Sequence, residues 1–149
     1  MPLNTTFTTG QVLTATQQNN LPFGLVASAT ATSSQTGIST EVDLTGLTVT
    51  FTAVTGRQYI AVITLHPYGT DQDTSDIFIN VAGTNKFTMR QTFAATNKIM
   101  TQTAQYLFTA SSGSTTVKLR MAKSGTNNVN NYGDASFISS LGVYDLGAR

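Results

Sequence analysis

The sequence predicts an all-β protein: an antiparallel β-sandwich, jelly-roll-like, preceded by a short N-terminal arm with one or two helical turns. Three observations predict it. Of the 149 residues, 28 are threonine, and branching at Cβ suits a pleated, half-buried surface. Only 10% of residues are charged, against about a quarter in ordinary soluble domains, so Thr, Ser, Asn and Gln must cover the outside. Turn signals recur about every 8–12 residues and no long amphipathic helix interrupts them, which is the spacing of a sandwich or barrel. The length suits one domain with a sizeable core, which the composition places at residues 25–149, after an arm at residues 1–24.

In the arm, Phe7, Val12, Leu13, Leu21 and Phe23 are scattered among polar residues without strand alternation. Thr14 followed by Gln17 reads as a capping box that starts a short helix through Asn20, and Pro22 stops it. These side chains are too few to fold alone, which makes the arm a candidate docking element that orders on assembly.

Strands follow from Gly24. The first is expected over Leu25–Thr32, and Ile38–Leu44 alternates apolar and polar residues as a half-exposed strand does. Thr45-Gly46 is expected to turn the chain into Leu47–Ala53, where Leu47, Val49, Phe51 and Ala53 alternate with threonines. Gly56-Arg57 turns into Gln58–Leu65, and a loop spans His66–Ser75. Asp76–Val81, a turn at Ala82–Asn85, and Lys86–Phe93 read as a hairpin, with Ala94–Gln102 as a loop. Thr103–Ala110 and Thr115–Lys123 are strands joined by Ser111–Ser114, the second with Val117, Leu119 and Met121 inward. Ser124–Gly133 reads as a polar loop, and Ala135–Leu146 closes the domain.

Several strands are apolar on both faces: Tyr59–Ile63, Ile77–Ile79, Tyr106–Phe108, and Phe137-Ile138 with Val143-Tyr144. Side chains alternate between faces, so each leaves one face over once a sandwich core is filled. A second copy of the chain is the simplest cover. Tyr59, Phe78, Tyr106, Phe108 and Tyr144 are the expected subunit-interface residues, since aromatic side chains suit interfaces and the tyrosines add a polar tip.

Composition excludes other chemistry. With no cysteine there is no disulfide, thiolate metal site or Cys nucleophile. A net charge of +1 gives no footprint for nucleic acid. No stretch approaches the length of a membrane helix. Met1–Gly10 lacks the basic and apolar regions of a secretory signal, so synthesis in a cytoplasm is expected, and the Asn4-Thr5-Thr6 sequon has no secretory context.

A catalytic reading runs short of residues. His66 is the single histidine. With Asp71 or Asp73 and a serine it makes only a formal triad, with no nucleophile elbow. Glu41 and Asp43 share a strand face that is expected to be wet, rather than forming a glycosidase pair. The cluster Asp71-Gln72-Asp73-Thr74-Ser75-Asp76 offers oxygen ligands at alternate loop positions, as calcium accepts. However, it lacks the central glycine and the closing glutamate of an EF-hand, so a solvated turn is expected and no metal or other cofactor is called for. Lys118, Arg120 and Lys123 read as the wet face of a strand that discourages edge pairing.

Phe7-Thr8-Thr9-Gly10-Gln11-Val12-Leu13-Thr14-Ala15, with Asn19-Asn20-Leu21-Pro22-Phe23-Gly24 behind it, resembles the opening of many tailed-bacteriophage virion proteins. In these a Gly-x-Val-Leu-Thr-Ala segment and an Asn precede a small β-domain. Leu44–Phe51 and Leu141–Gly147 resemble phage β-domains of the tumour-necrosis-factor or C1q-like jelly-roll kind. The resemblance implies a non-enzymatic structural protein in the virion, commonly trimeric, and it carries no catalytic residues. A chain that is one domain plus an arm, without a shaft, points to a capsid decoration (cement) protein whose partners are its own copies and the major capsid protein. The alternative is a tail or fibre-tip domain that recognises a host surface ligand, with Tyr68 and Tyr132 as the exposed aromatics to do so.

Overall fold

Alternation of apolar side chains with threonine becomes physical layering in the computed structural model, which describes residues 12, 14–69, 73–93 and 98–148. One helical turn, α1 (Ala15–Asn19), precedes twelve strands. These are β1 (Gly24–Ala31), β2 (Gln35–Ile38), β3 (Val42–Ala53), β4 (Arg57–Leu65), β5 (Pro67–Gly69), β6 (Thr74–Val81), β7 (Thr84–Thr92), β8 (Lys98–Ile99), β9 (Gln102–Thr109), β10 (Gly113–Lys123), β11 (Val129–Asn131) and β12 (Ser139–Ala148). Every strand pairing is antiparallel.

Eight strands make two four-stranded sheets, in the orders β1-β12-β4-β9 and β3-β10-β6-β7. With only these eight counted along the chain, the orders are 1-8-3-6 and 2-7-4-5, the interleaved Greek keys of a jelly roll. The other four strands form a small sheet, β2-β11-β5-β8. Each of them lies within one of the four connections from β1 to β3, β4 to β6, β7 to β9 and β10 to β12. These crossovers between the large sheets therefore gather at one end of the sandwich and pair into a cap. At the other end stand the start of β1, the start of β4 and the end of β12, where the arm joins.

The core lies between the large sheets. Leu47, Ala61, Leu65, Ile79, Val117, Leu119, Met121, Leu141 and Val143 are all fully buried in it, and burying a side chain of the larger kind stabilises by about 1.5–3 kcal/mol. A chain of rings, Phe51, Tyr59, Phe108, Tyr106 and Phe87, runs through the interior with neighbouring centroids 4.9 to 6.3 Å apart.

The structure differs from the sequence reading at six places. The strand expected over Ile38–Leu44 is interrupted between the end of β2 and the start of β3, and the loop expected at Ala94–Gln102 contains β8 and the start of β9. Thr45-Gly46 is not a turn, because β3 runs straight through it. Gly46 takes φ +79° where the β3–β10 register shifts, so the glycine makes a bulge, not a reversal. The loop expected at His66–Ser75 contains β5 and the start of β6. The polar stretch Ser124–Gly133 contains β11, whose Val129 and Asn131 are buried. Phe137-Ile138 forms the end of an exposed bend, not the start of a strand. Among the described residues, no helix is long and apolar enough to cross a membrane.

Candidate functional site

The two large sheets differ on their outer faces. On β3-β10-β6-β7 the outward side chains are mostly threonines and ion pairs, with the half-buried Phe78 among them. Asp43 accepts from Lys118 Nζ at 2.6 Å and from Arg120 Nε at 2.8 Å, Glu41 also bonds Arg120, and Arg90 reaches Asp76 at 2.7 and 2.9 Å. Lys118 holds the Asp43 carboxyl below the ordinary range, with Arg120 adding to the effect, and Arg90 does the same for Asp76. β10 is an interior strand of its sheet, so Lys118 and Arg120 do not guard an edge. They neutralise acidic neighbours across the strand, and Lys123 Nζ donates to the Thr126 carbonyl.

The outer face of β1-β12-β4-β9 carries an apolar row. Strand register aligns Leu25 with Tyr144, Tyr144 with Ile60, and Ile60 with Leu107, so one row crosses all four strands. Leu25 is 54% exposed, Tyr144 38% and Leu107 52%, and Ile60 is half-buried between them. Leu146 and Phe23 add exposed apolar surface at the same end. The row above is Ser28, Gly142, Val62 and Gln105, and the one beyond is Thr30, Ser140, Thr64 and Thr103. The apolar row is therefore flanked by Gln58 and Thr109 on the arm side and by increasingly hydroxyl-rich rows toward the cap. The Tyr144 ring lies over Gly142, where a Cβ would stand 3.1 Å from it.

Of the expected interface residues, Tyr144 stands in this row. Tyr59 and Phe108 face inward, at 1% and 8% exposure, and are core residues, because their outward neighbours Ile60 and Leu107 take the surface positions. Tyr106 is half-buried on the inner face beside Phe87. Phe78 is half-buried on the opposite sheet's charged face, in register with Arg120 and Thr88. The expected five do not form one surface.

The arm base is fixed to the sandwich. The Thr14–Gln17 capping box forms, with Gln17 N donating to Thr14 Oγ1 at 3.2 Å and Thr14 N to Gln17 Oε1 at 2.9 Å. Arg57 donates to the Leu21 carbonyl at 2.6 Å and sits 4.0 Å from the Phe23 ring centre. Ala148 N donates to the Asn20 carbonyl. Phe23 remains 61% exposed and Val12 85%, Leu21 is half-buried, and Phe7 and Leu13 lie outside the described residues.

At the cap end, Tyr68 and Tyr132 meet at 5.9 Å with rings nearly perpendicular, and Tyr132 meets Phe137 at 5.4 Å in the same way. The Tyr132 hydroxyl donates to Asp134 Oδ2 at 2.7 Å, and Asp134 Oδ1 accepts from Ser136 N and Phe137 N. This bonding lowers the Asp134 carboxyl and raises the Tyr132 phenol from their ordinary values.

His66 is buried beneath this cluster. Its Nδ1 lies 3.2 Å from Thr101 Oγ1 and its Nε2 lies 3.3 Å from the Ile138 carbonyl. The carbonyl can only accept, so Nε2 carries the proton and both ring nitrogens are occupied. No carboxylate completes a triad with it among the described residues. Asp73, just before β6, is buried, and Asp76 faces outward on β6 toward Arg90, so these two do not converge, and Asp71 lies outside the described residues. Among the described residues Asp73 Oδ2 and Ser75 Oγ are buried without partners, and no group of three acidic, histidine or cysteine ligands occurs there. A cleft of about 330 Å³ between the β7 and β9 sides is lined by Gln58, Val81, Lys86, Tyr106, Leu107, Phe108 and Thr109, with one titratable cation and no acid.

Neither a family model nor a curated protein matches the chain. Solved structures give fold-level matches. The sugar-binding C-terminal domain of EclA aligns at TM-score 0.44 and 12% identity over 77% of each chain. Dimeric latent PorU from Porphyromonas gingivalis aligns at 0.48 and 9%, over 83% of this chain and 13% of that one. The VP2 subviral particle of infectious bursal disease virus aligns at 0.44 and 12%, over 85% and 38%. The chain thus spans under half the length of the latter two. At these scores the likenesses carry no functional assignment.

Proposed function

We propose that this chain is a non-enzymatic structural protein of a bacteriophage virion, a capsid decoration protein that binds the head as a homotrimer through its arm end. The observation that carries self-association is the Leu25–Tyr144–Ile60–Leu107 row, an apolar strip on a sheet whose counterpart shows mainly threonine and ion pairs, with Phe78 half-buried among them. In a lone antiparallel sandwich both outer faces are expected to be polar. Phe23 and Leu146 add exposed apolar surface at the arm base, next to the strip. The virion setting rests on the resemblance of Phe7–Ala15 and Asn19–Gly24 to phage virion proteins.

Sedimentation equilibrium of the full chain tests the assembly. The expected result is a trimer at micromolar concentration, and a monomer overturns it. Deleting residues 1–23 is expected to abolish incorporation into particles while the sandwich stays folded. Copy number then separates this reading from a fibre-tip protein, since a decoration protein scales with the shell's repeated sites and a fibre tip does not.

A further inference from the structure

The cap end carries a second surface whose chemistry differs from the apolar strip. Register places Ile99 opposite Tyr68 and Tyr68 opposite Asn130, so these three make a row across β8, β5 and β11. Tyr132 follows Asn130 by two residues and meets Tyr68 edge to face. The Tyr68 hydroxyl has no partner among the described residues. Asn130 Oδ1 accepts from Gly37 N at 2.7 Å, which fixes the side-chain amide and leaves its Nδ2 donors unpartnered there. The rings are braced from behind: Tyr132 by Asp134 and Phe137, and Phe137 by His66 at 5.3 Å.

We propose that this corner binds a neutral sugar. A pyranose offers an apolar C–H face that stacks on an aromatic ring and hydroxyls that pair with a phenol and an amide, and Tyr68, Tyr132 and Asn130 present those groups side by side. Charge does not compete in the row. Both Asp134 oxygens are engaged within the chain, and Lys98 stands opposite Gly69, one position off the row. The site is also well placed for display. β4 runs from Arg57 at the arm base to Leu65 below the cap, about 27 Å at the usual rise per residue. A subunit anchored by its arm end would hold this corner outward.

Titration of the ¹⁵N-labelled full chain with glucose, galactose, mannose and N-acetylglucosamine, followed by amide resonances, tests the site. The expected result is a dissociation constant of about 1 mM for at least one sugar, with shifts confined to residues 66–69, 98–101 and 130–138. Tyr68→Ala and Asn130→Ala are each expected to weaken binding about tenfold or more, while Tyr144→Ala at the far end leaves it unchanged. The same spectra show whether each variant is folded. No response to any of the sugars, shifts centred elsewhere, or binding that survives both cap-end substitutions overturns the proposal. The experiment needs neither trimer nor particle, so its failure leaves the assembly reading standing.

Discussion

Arg57 and Asp145, 88 residues apart, form a buried two-pronged ion pair in which Nε and a terminal nitrogen donate to the two carboxylate oxygens at 2.6 and 2.7 Å. Both side chains are almost completely buried. Arg57 opens β4 and Asp145 lies in β12, so the pair ties two central strands together at the end where the arm leaves. The same guanidinium holds the Leu21 carbonyl and the Phe23 ring, and Gly147 N donates to Asp145 at 2.7 Å.

Removing one partner leaves the other charge buried and uncompensated, which typically costs about 3–5 kcal/mol. Arg57→Met and Asp145→Asn are each expected to lower unfolding free energy by about that amount in urea. Arg57→Met is also expected to expose the peptide bonds near Leu21 to protease under native conditions. A loss below about 1 kcal/mol in both variants would mean that the pair is not the clamp described.

The β6–β7 hairpin turns on two residues, Ala82 and Gly83, with φ of +49° and +84°. A turn with two positive φ values favours Asn-Gly, and alanine there carries the steric penalty of a left-handed conformation. Ala82→Asn is therefore expected to stabilise the protein by about 1 kcal/mol, read as a rise in thermal midpoint. Ala82→Val is expected to lower it.

Acid stability follows from three carboxyls. Asp43 is held low chiefly by Lys118, Asp76 by Arg90 and Asp134 by Tyr132. A carboxyl whose pKa is lower in the folded state contributes stability that is fully present above its unfolded value, about 3.9, and is lost as pH falls through the folded value. Unfolding free energy should thus be flat in these groups from neutral pH down to about 5 and decline below about 4. Tyr132 acts in the opposite sense. Its raised phenol adds stability below about 10 that is lost as pH climbs through the folded value. Denaturation at a series of pH values checks both limbs. Asp76→Asn should make the acid limb shallower, and an unchanged limb would remove Asp76 from the account.

The jelly roll was legible because its signal is local. Leu47–Ala53 and Val117–Met121 alternate along the sequence, and Thr14 with Gln17 is a capping pair that needs no tertiary context. What stayed hidden depends on pairing partners. The small sheet consists of strands of two to four residues, too short for periodicity to register, and Asn131 reads as loop until its amide is found bonding His66 N and Ser139. Both faces of Tyr59–Ile63 look alike in sequence. Only the register against β9 and β12 shows that Ile60, not Tyr59, meets solvent. The cap-end tyrosines stood out in sequence as aromatics beside polar loops, but their half-buried meeting required β5 and β11 to pair.

That register leads to a prediction about assembly. If copies of the chain cover the Leu25–Tyr144–Ile60–Leu107 row, a charge placed in it would be desolvated without a partner on association, while the isolated fold would keep it wet. Leu107→Lys should therefore leave the unfolding transition of the monomer nearly unchanged, since Leu107 is more than half exposed, yet weaken self-association by about 100-fold or more, the equivalent of about 3 kcal/mol. Thr103→Lys, on the same strand and face but at the hydroxyl-rich end, serves as the matched control and is expected to associate as the parent does. Sedimentation equilibrium across a concentration series reads both. Equal weakening by the two variants would place the contact along the whole face, and no weakening by Leu107→Lys would show that the apolar row is not where the copies meet.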